Sequence, residues 1–519
     1  MTFENVFQKI IKGYLGKEFL TYYENGVRTV LTSQEYVKKT DAIACSLECR
    51  MKEIPKDSWV GIKVANDAFW FATFFGLLKI GYNVVLLDNN YSESAIYAFI
   101  KQAHIKAIVS DRTETYQDVL MIPYQEIRNV SEGTPQEICW ASKLSFCTSG
   151  TTSNAKMYVF YAKTVDYQAV NIADYYINDE EAVSTRGNRT IAESYFLLTQ
   201  PFRHCLGFGL PLAFWCAGFP CVMAEKPGIY GIAESCQKDR IWMFISVPAV
   251  WKTLLQIAKN RYGDMTSESM KKVVGETLTM SASAGAILDE VSAARLKQLD
   301  IKIMNGWGMT ETGFVTIGEI KAHEELDYVG HYYNKHHAMV KNSAGELVEE
   351  GNGELYINGK AMYDAILVDG KEIQRDRDAY FATGDIFELH GNDFFFKGRC
   401  KSVIIDDTGE NIYPEELDAH FALISDYDTI SQFCTAEYEN KPCLYISTKD
   451  YENFDMTEVF DYIVKRNSEL PLGKRVTKII ATNLKLPVTG KAETARFFVK
   501  DFVTQHPEEI KTYIVKKKG

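Results

Sequence analysis

The 11 cysteines include no C-x-x-C pair and the histidines form no cluster at metal-ligand spacing, so neither a zinc site nor a disulfide framework is expected. Reduced thiols in a cytoplasmic protein fit that pattern. Positive charge is also short. A net charge of −12 repels phosphate-rich partners, which disfavours general binding to nucleic acid or anionic membrane and makes any anionic ligand depend on a local site. No apolar run makes a clean membrane span: the nearest, Ala68 to Leu87, is interrupted by Lys79 and by Gly81-Tyr82-Asn83 and reads as a buried helix followed by a strand. The start, Met1-Thr-Phe-Glu-Asn5, lacks the basic region and apolar stretch of a secretory leader. Internal repeats and low-complexity tracts are missing, and the closing Lys516-Lys517-Lys518 reads as a solvated terminus.

What is present is an ordinary globular composition, 519 residues at 46% hydrophobic, enough for a large core and two or more domains. Phe19 to Thr32 reads as a hairpin around Glu24-Asn25-Gly26, after which Ser33 caps a helix marked by Tyr36, Ile43, Leu47 and Met51. Cys45 and Cys49 on that helix read as small apolar residues facing the core. Strand and helix signals then alternate. Trp59 to Val64, Asn83 to Leu87 and Ala107 to Ser110 read as strands, with helices at Ala68 to Ile80 and Glu93 to Gln102 between them. The texture resumes at Ser194 to Thr199, Trp242 to Val247 and Lys302 to Met304, and it predicts the α/β class with parallel sheet layered by helices. Hairpin-rich segments take over later, at Glu354 to Ile357, Ala365 to Val368 and Phe394 to Phe396, and predict a β-rich subdomain at about 350–400. A hinge near Arg399 to Ser402 then separates a large portion, 1–400, from a small α+β one, 401–519.

Five motifs carry chemistry. The first is Thr148-Ser149-Gly150-Thr151-Thr152-Ser153, which leads to Lys156. Hydroxyls and exposed N–H groups donate to phosphate oxygens, Gly150 allows close backbone approach, and the lysine adds a point charge, so a nucleoside triphosphate is the natural ligand. It is not a Walker A loop, because Gly150 is not adjacent to Lys156 and no Ser or Thr follows the lysine. The second is Asn305-Gly306-Trp307-Gly308-Met-Thr310-Glu311, read as the loop after a strand. Trp307 there offers a ring face to a purine, Thr310 a hydroxyl to phosphate and Glu311 a hard oxygen to Mg²⁺. Asp385, in Thr383-Gly-Asp, suits the hydroxyls of a ribose, and Arg399 suits the same ribose or a phosphate. The fifth, Leu486-Pro-Val-Thr-Gly-Lys491, presents a lysine on a rigid turn.

In this order the motifs resemble the adenylate-forming superfamily of acyl-CoA and aryl-CoA synthetases, peptide-synthetase adenylation domains and luciferases. Ser283-Ala-Gly285-Ala286 resembles its adenine-contacting turn and Pro201-Phe-Arg-His204 its acyl-pocket gate. The chain departs from the pattern in its phosphate loop, where Ser153 and Met157 replace glycines and Ala155 a proline. The resemblance implies a mobile C-terminal domain pivoting at Lys401, ATP and Mg²⁺ bound between the two portions, and Lys491 and Glu311 as catalytic groups with Thr310 beside them. It also implies CoA or a phosphopantetheine carrier protein as acceptor. The chain has no Gly-Gly-x-Ser, so that thiol belongs to a separate molecule. Arg203 and His204 stand near where amino-acid-activating relatives place an aspartate, which favours a fatty or aryl acid, with His204 and Phe208 at its tail and Phe202, Phe214 and Trp215 nearby. Two other readings stay open: a stand-alone amino-acid-activating domain, and a nucleotide-binding homologue that has lost catalysis.

Overall fold

Strands covered by helices on both faces must be apolar throughout, and Trp59–Lys63, Asn83–Leu86 and Ala107–Ser110 are buried at every position. The computed structural model describes residues 1–13, 17–148, 156–284, 290–320, 326–332, 336–405, 411–427, 429–449, 456–488 and 496–515. With Leu120–Pro123 and Lys143–Thr148, those strands form the parallel run of an eight-stranded sheet. Lys143–Thr148 then returns antiparallel as Lys156–Tyr161. That edge is extended by Ala365–Val368 and Lys371–Gln374 from far downstream.

A second sheet has 14 strands. Its parallel run is Glu18–Glu24, Cys221–Met223, Tyr195–Leu198, Ile241–Ser246, Met280–Ala284 and Lys302–Met309. Beyond Lys302–Met309 the direction alternates through Gly313–Glu319, Tyr328–Tyr332, Asp393–Arg399, Phe381–His390, Gly351–Asn358 and His337–Lys341. The hairpin-rich stretch after about residue 350 is therefore β-structured, and its strands are continuous with both large sheets. A third sheet of Ile430–Tyr438, Lys441–Thr448, Lys478–Thr482 and Ile510–Ile514 has apolar clusters of its own, around Leu444 and Ile463 on one side and Tyr445 and Val503 on the other.

Helices Trp70–Lys79 and Cys205–Ala217 are apolar on all faces, as a helix between layers must be. Phe71, Phe74, Phe208 and Trp215 meet there, in tilted and edge-to-face contacts at 5.0–5.6 Å. Lys79, at the end of the first helix, is paired with Asp41, which lets a lysine sit 8% exposed. The segment tempting as a membrane span is thus a core helix and strand. Among the described residues no helix is long and apolar enough to cross a membrane.

The α/β class expected from the alternation is the class observed, and three local readings are corrected. Thr32, not Ser33, caps the helix Ser33–Arg50, and the Thr32 N–H donates in turn to the Glu35 carboxylate at 2.8 Å. Cys49 is exposed rather than core-facing, because it falls on the solvent side of that helix. Finally, Asn305 to Met309 is not a loop but the second half of a strand.

Candidate active site

The strand Lys302–Met309 carries two glycines because its antiparallel neighbour leaves no room for side chains. A Cβ on Gly308 would lie 2.3 Å from the Gly313 carbonyl oxygen, and one on Gly306 would lie 2.8 Å from that of Thr316. Between them the register slips, at Trp307/Gly308. Trp307 is 9% exposed, stands edge-on to Phe387 at 5.1 Å, and donates its indole N–H to Asp385 Oδ2 at 2.9 Å. Asp385 and Arg399 face each other across paired strands, with Arg399 Nε 3.7 Å from Asp385 Oδ1. Three residues expected on the nucleoside therefore converge. Trp307 brings an N–H to this group, not the open ring face read from the sequence. The Asn305 amide donates to the Tyr328 carbonyl at 3.0 Å and so braces the neighbouring strand.

Glu311 follows in the turn after the strand, with Thr310, also half-buried, before it. The Tyr158 hydroxyl stands near the Glu311 carboxylate; burial first, and then the Glu311 charge, push the Tyr158 phenol well above its ordinary value. Tyr363 braces the pair, its N–H on the Glu311 carbonyl at 3.0 Å and its ring edge-on to Tyr158 at 5.0 Å. Tyr158 shares its strand with Lys156, which lies opposite Thr148 at the mouth of the phosphate hairpin. Glu311 is thereby set near that mouth. Sequence reading missed Tyr158, although strand alternation puts residues 156 and 158 on one face. Ser149, Gly150, Thr151, Thr152, Ser153, Ala155, Gly285, Ala286 and Lys491 lie outside the described residues. Met157, where the family has glycine, is fully buried against Val85, Leu87 and Ala365.

Mg²⁺ suits this arrangement. Among the described residues no group of three or more His, Cys, Asp or Glu could cage an ion, and Mg²⁺ is held characteristically by one or two carboxylates, water and substrate phosphates. Glu311, half-buried, carries carboxylate lone pairs with no hydrogen bond from the side chains of the described residues.

At the acyl side, His204 precedes the helix Cys205–Ala217 and its Nε2 is 3.6 Å from Asp88 Oδ2. Arg203 Nε is 2.7 Å from the same oxygen but off the N–H direction, a contact of charges rather than an aligned hydrogen bond. Asp88, 6% exposed, follows the strand Asn83–Leu86 and was not foreseen. Phe202, Phe208, Phe214 and Trp215 are each 2% exposed or less and belong to the aromatic core. Lys401 is exposed in a turn closed by Ser402 N–H on the Arg399 carbonyl at 2.9 Å.

Comparison with known proteins gives this geometry a context. Residues 7–365 match the family model described as AMP-binding enzyme. A 2-succinylbenzoate–CoA ligase of Listeria innocua is 23% identical over 475 residues, covering 89% of this chain and 92% of that one. A long-chain-fatty-acid–CoA ligase of Rattus norvegicus is 22% identical over 438 residues, 68% of this chain and 63% of that one. Among solved structures, o-succinylbenzoate coenzyme A synthetase of Bacillus subtilis in complex with ATP and magnesium ion superposes with a TM-score of 0.76 at 17% identity, over 96% of this chain and 99% of that one. A fatty acyl CoA synthetase of Mycobacterium tuberculosis gives 0.65 at 15% identity, over 97% and 99%. The fold is the adenylate-forming one, and with the family model matching most of its length the chain belongs to the AMP-binding enzyme family.

Proposed function

We propose that this protein activates an aryl or fatty carboxylic acid with ATP and transfers the acyl group to the thiol of CoA. The observation that carries this reading is the meeting of Trp307, Asp385 and Arg399 on paired strands of one sheet, with Glu311 near Tyr158 on the strand of Lys156. In the first step a carboxylate oxygen attacks the α-phosphorus, the bridge to the β-phosphate breaks, and pyrophosphate leaves. Two anions must approach, so positive charge has to stand where negative charge accumulates. Lys491 supplies it between the carboxylate and the α-phosphate, while Thr148 to Lys156 hold the departing pyrophosphate. Glu311 would hold Mg²⁺, with Thr310 beside it; the ion neutralises phosphate charge when bound. Asp385 and Arg399 fix the ribose, and Trp307 keeps Asp385 in its rotamer.

In the second step a thiolate sulfur attacks the acyl carbon, a C–S bond forms, and AMP leaves with the mixed-anhydride oxygen. The C-terminal portion, 401–519, turns about Lys401 to withdraw Lys491 and admit the pantetheine arm. The relatives that act on 2-succinylbenzoate or long-chain fatty acids use CoA by name, which favours CoA over a carrier protein. Arg203 is already engaged by Asp88, so it is no free counter-charge for a second carboxylate, and His204 at the helix start orients the acyl group. All the cysteines described are free thiols, in keeping with a cytoplasmic location.

Acid-dependent exchange of labelled pyrophosphate into ATP tests this, with 2-succinylbenzoate, benzoate, octanoate, palmitate and the common amino acids as substrates. The expected result is exchange with an aryl or fatty acid, abolished in Lys491→Ala. Exchange with amino acids alone, or with none of the acids despite ATP binding, would refute the reading.

A further inference from the structure

Arg375 follows the edge strand Lys371–Gln374 of the eight-stranded sheet, and its backbone N–H donates to the Asp364 carbonyl at 2.9 Å. Asp364 is in turn fastened to the strand of Lys156: its N–H donates to the Val159 carbonyl at 2.8 Å and its carboxylate accepts from the Tyr161 N–H at 2.8 Å. The backbone of Arg375 thus belongs with the phosphate hairpin. Its side chain crosses to the other large sheet. At the end of the strand Gly351–Asn358, Nη1 donates to Asn358 Oδ1 at 2.8 Å and Nη2 to the Gly359 carbonyl at 3.1 Å, while Nε donates to the Tyr363 carbonyl at 3.0 Å. An arginine fork carries its donors in one plane at set angles, so it fixes the spacing of what it binds.

Two of those three anchors bear on the Glu311 turn. The Tyr363 N–H donates to the Glu311 carbonyl at 3.0 Å. Gly359 packs on His336, whose Cδ2 lies 2.7 Å from the place a Gly359 Cβ would take, and His336 Nε2–H donates to the Thr312 carbonyl at 3.1 Å. Consecutive carbonyls, 311 and 312, are therefore held by two groups that one guanidinium keeps apart at a set distance. The turn itself joins Lys302–Met309 to Gly313–Glu319 in the 14-stranded sheet, so Arg375 links the two large sheets where Glu311 stands.

We propose that Arg375 is a positioning residue for metal-nucleotide binding: it fixes Glu311, in a turn of one large sheet, relative to Lys156, on a strand of the other, so that both reach a single triphosphate. The proposal rests on the metal role given to Glu311 above. It requires no contact between Arg375 and ATP.

The test uses the full-length protein and the variants Arg375→Met, Arg375→Lys, Asn358→Ala and Glu311→Gln. Three quantities are measured: ATP binding by calorimetry across a Mg²⁺ titration, AMP binding without metal, and the thermal midpoint. Removing a group that orients a metal ligand costs about 10–100-fold in metal affinity, so the Mg²⁺ concentration for half-maximal ATP binding should rise by about that factor in Arg375→Met. AMP, whose ribose partners Asp385 and Arg399 lie outside this clamp, should bind within about threefold of wild type. Arg375→Lys keeps the charge without the fork and Asn358→Ala removes one anchor, so each should raise the Mg²⁺ requirement by less, and they carry the test if Arg375→Met does not fold. An unchanged requirement in the Arg375 and Asn358 variants, beside a raised one in Glu311→Gln, would overturn the proposal and leave the proposed function standing. Parallel loss of ATP affinity, AMP affinity and thermal midpoint would overturn it as well, being the mark of a purely structural role. A requirement that Glu311→Gln does not raise would sink the metal role of Glu311, and this proposal with it.

Discussion

His336 is 5% exposed and shares its Nε2 with the Thr312 carbonyl at 3.1 Å, close behind the Glu311 turn. Burial first, and the charge of Arg375 against the opposing Thr312 bond, bring its value from the ordinary 6.5 down to about 4. The unfolded chain therefore takes up a proton at a pH where the folded chain refuses it. Stability from this site is complete above about pH 6.5 and drains away as the pH falls towards 4. Between pH 7 and pH 5 the loss amounts to about 2 kcal/mol. Urea denaturation at the two pH values should show wild type losing that much more than His336→Gln; equal losses would remove His336 from the account. The motifs named Trp307, Asp385 and Arg399, which the fold brings together. Tyr158 and Asp88 were not legible, since each meets its neighbour only on folding.

Elements were legible wherever apolar periodicity was strong, which is why the early strands and the helix Trp70–Lys79 were found within a residue or two. The Asn305 to Met309 stretch failed that test because its glycines look like a turn. They answer instead to the neighbouring strand Gly313–Glu319, whose backbone sits where side chains would go. Gly308→Ala should therefore cost about 1–3 kcal/mol by urea denaturation and weaken ATP binding through displacement of Trp307. Gly209 makes the contrast. It lies in the helix Cys205–Ala217 with nothing within 4 Å of the place a Cβ would take, so Gly209→Ala should be neutral or stabilising by up to about 1 kcal/mol. Equal behaviour of the two variants would refute the steric account.

Across the whole molecule, the α/β class followed from local patterns, whereas the sheet order did not. The eight-stranded sheet draws its strands from two stretches, 59–161 and 365–374, separated by most strands of the large sheet, and no local signal announces that return. The third sheet, with its own apolar clusters, suits a unit that turns while keeping its interior. Proline at Lys401 would fix one of the torsions that such a turn needs. Lys401→Pro should then retain adenylate formation and lose most thioester formation, measured separately; retention of both would argue against Lys401 as the pivot.

Late arrival of Ala365–Val368 also bears on synthesis. Until it emerges from the ribosome, the strand Lys156–Tyr161, buried along most of its length in the finished protein, has an unmatched hydrogen-bonding edge. At about 5–20 residues per second that interval lasts roughly 10–40 s. A nascent chain of this protein thus carries an apolar strand with one open edge through the middle of its translation, the kind of surface that chaperones cover.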